Sequence, residues 1–331
     1  MALTFGKLLK PFFRLSSDDF PKLATERYGQ NDDMDQIWLQ FEPVARHLVG
    51  GFKTTLDDDR FEVLVPHLNS LEGDFRGIAY EGAGMGLMLL DSLGPWKKRL
   101  MPFIAGPGAA YDWLLYIGAG LVLPRAPIRP KRFLATLDPF LRWFVMDGYG
   151  FYEGFFNGER AVNQHRLPAR ITDTGYGLRA FDHGLGRSIW FSTGANVERI
   201  VSTISTFPEN RHGDLWGGIG LACAYAAGVV DREAIKTLRD AAGPHAPQMI
   251  AGAAVAATYR MQTGEVAPHT DLACEVLCGL SGALVAQIAN VARQNLPKDG
   301  REPAYEIWRQ RLAEQFATST VGQLERQEKR S

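Results

Sequence analysis

Five polar residues stand inside stretches otherwise built of glycine and apolar side chains: Glu81, Glu153, Asp182, His183 and Arg187. A polar group among apolar neighbours is costly unless it is hydrogen-bonded or put to use, so chemistry is to be sought at these five first. Glu81 and Glu153 share one pattern, Tyr80-Glu81-Gly82 and Tyr152-Glu153-Gly154, a carboxylate between an aromatic ring and a glycine. If both face one cavity, a buried carboxyl there serves as a general acid or base. The alternative is a glutamate that bridges helices or pairs with Arg179 or Arg187. His183 could shuttle protons near neutrality, or be a hydrogen-bonded structural group, and Asp182 beside it would position it. Arg187, four residues on, would share its helix face and bind an anionic substrate or close an internal salt bridge.

A second set of candidates is aromatic: Trp113, Tyr149, Phe151, Tyr152, Phe155, Phe156, Trp190, Phe191, Trp216 and Tyr225. Such residues line pockets for polyene, polyketide or terpenoid molecules, and at helical spacing they equally build plain core. Tyr149, Tyr152, Trp190 and Trp216, with Arg187 and Arg211 as cations, are the substrate-binding candidates. Asp58-Asp59-Arg60-Phe61-Glu62 fits the aspartate-rich pattern with which class I terpene cyclases hold Mg²⁺-bound diphosphate. Asp58, Asp59 and Glu62 would be the ligands of such an ion; no other cofactor is expected. Asp32-Asp33-Met34-Asp35 is a further acidic cluster and reads as a solvated loop or a helix start. The phosphate loop Gly-x-x-x-x-Gly-Lys-Ser/Thr, the His-Glu-x-x-His zinc pattern and the Gly-x-Ser-x-Gly elbow are all missing. Gly82-Ala83-Gly84-Met85-Gly86 follows no strand, which sets aside a dinucleotide fingerprint.

The elements that must position these residues repeat. Tyr80-Glu81-Gly82-Ala83-Gly84 and Asp182-His183-Gly184-Leu185-Gly186 each lead into an apolar run, and 31 residues after Glu81 and after His183 comes an aspartate, Asp112 or Asp214. Each aspartate opens a similar stretch that reaches an Ile-Gly pair at the same offset. Ala251-Gly252-Ala253-Ala254 to Asp271 is a shorter third copy. Self-similarity at this period marks stacked supersecondary units. The apolar stretches, such as Leu215–Val230 and Ala273–Ala292, run ten residues or more and are rich in Ala, Leu and Gly, which favours helix. Aspartates before them read as N-caps. Glycine, 35 of 331 residues or about 11% against an ordinary ~7%, costs ~1 kcal/mol per helical position and so requires a reason. Backbone-to-backbone packing of the two helices of a hairpin supplies one. The expected fold is therefore all-α, antiparallel helical hairpins packed as a solenoid or α/α toroid. Residues 1–75 form an N-terminal arm and helices packing on the core, and residues 76–331 the helical-repeat core domain. Tyr305–Phe316 reads as a last amphipathic helix before a polar tail, Arg326–Ser331.

Composition sets further bounds. Hydrophobic residues are 46% and charged residues 22%, with a net charge of −1, which suits a packed core and argues against nucleic acid as a partner. The longest apolar stretch, Pro102–Pro124, is interrupted by Pro107 and Asp112 and falls short of the ~20 residues of a membrane span, so it reads as a buried core helix. The N-terminus, with Lys7, Lys10 and Arg14 among Leu8, Leu9, Phe12 and Phe13, reads as a docking arm interrupted by Pro11. Three cysteines, Cys223, Cys274 and Cys278, are too few for a disulfide framework and fit a reducing, cytoplasmic setting; they read as small core residues.

Several long strings carry a resemblance: Arg76-Gly-Ile-Ala-Tyr-Glu-Gly-Ala-Gly-Met, Asp147-Gly-Tyr-Gly-Phe-Tyr-Glu-Gly, Phe181-Asp-His-Gly-Leu-Gly-Arg-Ser-Ile-Trp-Phe, Arg211-His-Gly-Asp-Leu-Trp-Gly-Gly-Ile-Gly-Leu-Ala and Pro268-His-Thr-Asp-Leu-Ala-Cys. From Arg76 to Trp308 the chain resembles the UnbL-like family, domain of unknown function 1702, found in gene clusters for enediynes and other specialised metabolites. The resemblance implies a setting, bacterial specialised-metabolite biosynthesis, and no particular reaction. With the residues above it gives two expectations. One is an enzyme that cyclises, isomerises or otherwise tailors an apolar polyene, polyketide or terpenoid intermediate. Glu81, Glu153 and His183 would then do the acid–base work, with Asp182 or Arg187 positioning. The other is a helical-repeat protein, a homodimer as one possibility, that binds a hydrophobic metabolite or scaffolds partner enzymes.

Overall fold

Fourteen consecutive residues, Gly77 to Leu90, are buried. A helix whose polar face is missing must be enclosed on all sides, and the architecture follows from several such helices. The computed structural model describes residues 4–28, 32–94, 96–226, 231–264 and 267–328, and among the described residues every regular element is helical. The fold is all-α, as the sequence leads one to expect.

The chain divides into two compact units, Met1–Gly184 and Leu185–Ser331. The first holds α1 (Phe5–Leu9), α2 (Asp19–Tyr28), α3 (Asp32–Asp57), α4 (Phe61–Asn69), α5 (Gly73–Leu93), α6 (Leu100–Ile104), α7 (Asp112–Val122), α8 (Pro130–Leu134) and α9 (Trp143–Phe156). Helix α10 (Gly177–Ser192) contains the boundary. The second unit holds α11 (Val197–Ser205), α12 (Glu209–Tyr225), α13 (Arg232–Ala242), α14 (Ala246–Gln262), α15 (Pro268–Cys278), α16 (Gly282–Ala292) and α17 (Ala304–Glu328).

In the first unit α3, α5, α7 and α9 pack in succession, each against the next. Glycine sets their spacing. A methyl on Gly82 of α5 would stand 2.9 Å from the backbone nitrogen of Phe52 on α3, and one on Gly118 of α7 would stand 2.9 Å from that of Met85 on α5. One on Gly120 would stand 2.9 Å from Gly148 Cα on α9. Real Cβ atoms essentially never come within 3.0 Å, so these helices touch backbone to backbone and only glycine fits. In the second unit Gly220 of α12 and Gly252 of α14 do the same for each other, against Met249 and Gly217.

The contacts also fix direction. On α5, Gly82 meets Leu48 and Phe52 and Gly86 meets Thr55 further along α3. On α12, Gly213 lies by His245 and Gln248, Gly220 by Met249, and the Tyr225 carbonyl accepts from Arg260 Nη2 at 2.5 Å. Register rises together in both pairs, so the neighbours are parallel. This corrects the expectation that glycine joins the two antiparallel arms of a hairpin. It joins successive core helices, and a shorter outer helix returns the chain between them: α4, α6 and α8 in the first unit, α13 between α12 and α14 in the second.

Local boundaries shift accordingly. The acidic stretch read as a loop or a helix start lies at the start of α3, with the side chains of residues 32–37 and all of Asn31 outside the described residues. Pro102–Pro124 is not one helix: α6 ends at Ile104, and a short 3₁₀ turn, Ala109–Tyr111, precedes α7. The stretch expected over Leu215–Val230 is α12, and residues 227–230 lie outside the described residues. Ala273–Ala292 is broken into α15 and α16, bent by 66°, because Gly279 takes a left-handed φ of 74° that ends α15. Asp112 opens α7, but Asp214 is buried inside α12 and Asp271 caps the next helix by accepting from Gly282 N at 2.8 Å, so neither is the N-cap that its place before an apolar run suggests. The last amphipathic helix is longer than Tyr305–Phe316, and of the expected polar tail residues 329–331 lie outside the described residues. Position 75/76 falls within α5, so the arm and the repeat core are joined by a continuous helix. Cys223, Cys274 and Cys278 are free and buried. Among the described residues no single helix is long and apolar enough to cross a membrane.

Candidate functional site

Beyond the glycine contacts, α3, α5, α7 and α9 present large side chains to one common space. That space is a chamber of about 370 Å³ in the first unit. Phe52 of α3, Met85 and Leu89 of α5, Leu121 and Val122 of α7, and Tyr152 and Phe156 of α9 form its inner wall. Phe13, Leu15 and Leu23 of the N-terminal segment line its other side. Phe20 anchors that segment, its ring 5.1 Å from Phe155 and 5.7 Å from Phe156. The volume falls in the range of small-molecule sites, which are mostly apolar with a few placed polar groups.

The chamber's polar lining is Tyr152 and Arg125 on the helix side and Arg14, Asp19, Lys22 and Glu26 on the side of the N-terminal segment. Burial pushes the Tyr152 phenol above its ordinary pKa, and the Arg125 guanidinium hydrogen-bonded to it pulls the other way without cancelling the effect. Tyr152 therefore stays a neutral hydroxyl while Arg125 carries charge to the chamber wall. The Arg125 guanidinium lies 5.4 Å from the centre of the Phe13 ring, a cation–π distance. A ligand with an apolar body and one anionic or polar end matches this lining.

The residues singled out in the sequence lie at different places. Tyr152 lines the chamber. Glu81 is buried one turn before Met85, and Glu81, Met85 and Leu89 follow one another at i, i+4, i+8 along one stripe of α5. Glu153 is buried and accepts a hydrogen bond from Asn157 Nδ2 at 2.9 Å. Tyr149 is buried among α9 and its neighbours, its pKa pushed up to about 12 by burial and then by the nearby Glu153.

His183 is neither exposed nor at the chamber. Its Nδ1 lies 2.6 Å from Asp147 Oδ2, both side chains 3% exposed. Each residue precedes a contact glycine, Asp147-Gly148 and His183-Gly184, so the glycine packing of α9 against the start of α10 brings the two together. Asp182, beside His183, is buried. Arg187, Trp190 and Trp216 are buried in the second unit, and the half-buried Arg211 has its guanidinium 4.9 Å from the Phe207 ring centre.

The aspartates considered for Mg²⁺ are engaged by cations. Asp58 accepts from Arg60 Nε at 2.9 Å and Nη2 at 2.6 Å, and the hydrogen bond from Arg60 lowers its pKa to about 2. Asp59 accepts from Lys97 at 2.8 Å and from Arg99 at 2.5 Å; burial opposes its ionisation, but those two hydrogen bonds prevail and its pKa is lowered. Among the described residues no three His, Cys, Asp or Glu side chains converge as a metal site would require.

Sequence reasoning passed over Arg125 and the chamber face of α5. The signal was present in Glu81, Met85 and Leu89 at four-residue spacing, and in a phenylalanine-rich arm too apolar to be free in water. The family model described as "Protein of unknown function (DUF1702)" matches residues 13–316, and the chain belongs to that family. No curated protein and no solved structure matches the chain.

Proposed function

We propose that the chain takes an apolar polyene, polyketide or terpenoid intermediate of bacterial specialised metabolism into the chamber beneath the N-terminal segment. There it promotes cyclisation, isomerisation or a related proton-transfer reaction, in the cytoplasmic setting that three unpaired cysteines suit. The enediyne setting comes from the resemblance in sequence. The chamber is the observation that carries the reading: about 370 Å³ between the core helices and the N-terminal segment, its helix side apolar but for Tyr152 and Arg125, with Arg14, Asp19, Lys22 and Glu26 on the other side.

Each group has a role in this reading. The apolar walls exclude water and hold the hydrocarbon body. Arg125 holds an anionic or carbonyl end, and the Tyr152 hydroxyl, kept neutral by burial, donates to it. Glu81, one turn below Met85 on the chamber stripe, exchanges the proton with substrate carbon when Met85, a flexible thioether, moves aside. His183 and Asp147 hold α10 and α9 in register and position the wall that bears Tyr152. Asp182 and Glu153 are positioning residues in the same sense.

The second reading is a binding protein with the same chamber and no reaction. Glu81→Gln decides between them, with retention of ligand measured beside turnover. Polyene and prenyl substrates are incubated with the protein, and products are followed by mass spectrometry. Catalysis predicts that Glu81→Gln keeps ligand affinity and loses at least 100-fold in turnover. Full turnover in Glu81→Gln refutes its role as acid or base, and wild-type protein that binds and never converts leaves the binding reading.

A further inference from the structure

We propose a second ligand site, separate from the chamber: a cleft in the first unit that binds an acyl or isoprenoid chain ending in a phosphate or diphosphate. The cleft encloses about 1530 Å³. Its floor is apolar, formed by Met88, Leu100, Ile128, Pro130 and Phe133. Around that floor stand the cations Lys98, Arg129, Lys131, Arg132 and Arg170, against two carboxylates, Asp91 and Asp173. The cleft thus carries three net positive charges in a chain whose total is −1.

Neither carboxylate is available to neutralise the excess. Asp91 is committed to the turn before α6, accepting from Arg99 N at 2.9 Å and Leu100 N at 3.0 Å. Asp173 stands 3.5 Å from Lys131. Arg170 has a structural role: its guanidinium donates to the carbonyls of Leu123, Pro124, Ala126 and Ile128. That clamp fixes the proline-rich loop 124–130 from which Arg129 projects. Lys98, Arg129 and Arg132 remain, exposed at the rim and facing no carboxylate of the cleft. Arginine forks match phosphate oxygens in pairs, and the apolar floor offers a place for a hydrocarbon chain that free phosphate would not use. A cleft of this size exceeds the ordinary pocket for a small ligand, which suits a long chain with a charged head.

The probe is dodecyl phosphate below its micelle concentration, titrated calorimetrically against the full chain. Dodecanol and inorganic phosphate are run as the two half-ligands. Dodecyl phosphate should bind at least tenfold more tightly than either, and weaken as salt is raised from 50 to 300 mM. The triple variant Lys98→Gln/Arg129→Gln/Arg132→Gln, made at exposed positions and checked by circular dichroism for an unchanged melt, should lose at least tenfold. Leu121→Trp, which fills the chamber, should leave unchanged the share of binding that the triple variant loses. Equal affinity in the triple variant, or equal affinity for inorganic phosphate, overturns the proposal. Loss of that share in Leu121→Trp also overturns it, since the amphiphile would then occupy the chamber and the reading of that chamber would stand alone.

Discussion

Two adjacent glycines in α3 should respond to the same substitution with opposite signs. Gly50 and Gly51 both lie inside the helix, and both gain about 0.5–1 kcal/mol of helix propensity when changed to alanine. Around Gly50 nothing lies within 4 Å of an added Cβ, so Gly50→Ala should keep the whole gain. At Gly51 the added carbon would stand 2.8 Å from the carbonyl carbon of Ala79 on α5, and 3.1 Å from its Cα. Carbon atoms rest comfortably at 3.5–4.0 Å, so α3 and α5 would have to part by roughly 0.7–1 Å, and a gap of that size forfeits a quarter to a half of each dispersion contact across the interface. Backbone cannot rotate aside as a side chain can. Overpacking costs 1–3 kcal/mol and occasionally more, and a clash against helix backbone belongs at the upper end. Gly51→Ala should therefore lose about 2 kcal/mol or more after the propensity gain. For a unit of this size 1 kcal/mol moves Tm by about 2–4 °C. Scanning calorimetry should then show Gly50→Ala melting about 1–4 °C above wild type and Gly51→Ala at least about 4 °C below it. A Gly51→Ala protein that melts at or above wild type would refute glycine-mediated helix contact as the basis of the fold.

Other outcomes follow from buried charges and thiols. Burial raises Cys223 from an ordinary 9.0 to about 12 and Tyr80 and Tyr149 from 10.0 to about 12. Since the folded values lie above the unfolded ones, stability should hold below pH 9 and fall between pH 9 and 12, as read by urea midpoints across that range. At pH 8 Ellman's reagent should find no fast-reacting thiol in the folded chain and three after denaturation. In the second unit Arg309 Nη1 lies 3.1 Å from Asp214 and 3.3 Å from Glu306, all three buried. Arg309→Leu leaves two carboxylates facing each other and should cost about 3–5 kcal/mol at pH 7. The loss is read from the urea midpoint of the variant beside that of wild type. Arg170→Ala should release loop 124–130 and speed tryptic cleavage after Arg125 at least tenfold, because charged hydrogen bonds contribute ~1.5–3 kcal/mol each and ~1.4 kcal/mol is already a factor of ten.

The helical class was legible because glycine-rich apolar runs such as Gly77–Leu90 are too long for strands, and close approach was legible because glycine inside a helix needs a cause. Which helices approach was not. The 31-residue offset from Glu81 to Asp112 links the middle of α5 to the start of α7, two parallel core helices, and a sequence period carries no direction. The pairing of His183 with Asp147 was hidden for a related reason: both precede a contact glycine, yet equivalent positions on neighbouring helices become visible only when the register is known. Glu81 and Glu153 share a Tyr-Glu-Gly string and nonetheless differ, since Met85 and Leu89 continue the stripe of Glu81 into the chamber while Glu153 is held by Asn157. Arg125 stands beside Pro124 in a proline-rich loop, and a lone arginine in such a loop gives no sign in sequence of the phenol it will meet. At Asp58 and Asp59 the short acidic motif leaves out Arg60, Lys97 and Arg99, the cations that the two carboxylates meet.

The central claim is that the glycine-packed core helices open onto a ligand chamber lined on its other side by the N-terminal segment. A fluorescence titration with cis-parinaric acid, a conjugated polyene carboxylate, tests it on the full chain. Wild type should bind one equivalent saturably, Leu121→Trp should weaken binding at least tenfold by filling the space, and Arg125→Gln should weaken it by removing the partner of the carboxylate. Binding that is absent in wild type, or that is the same in Leu121→Trp as in wild type, would contradict the claim.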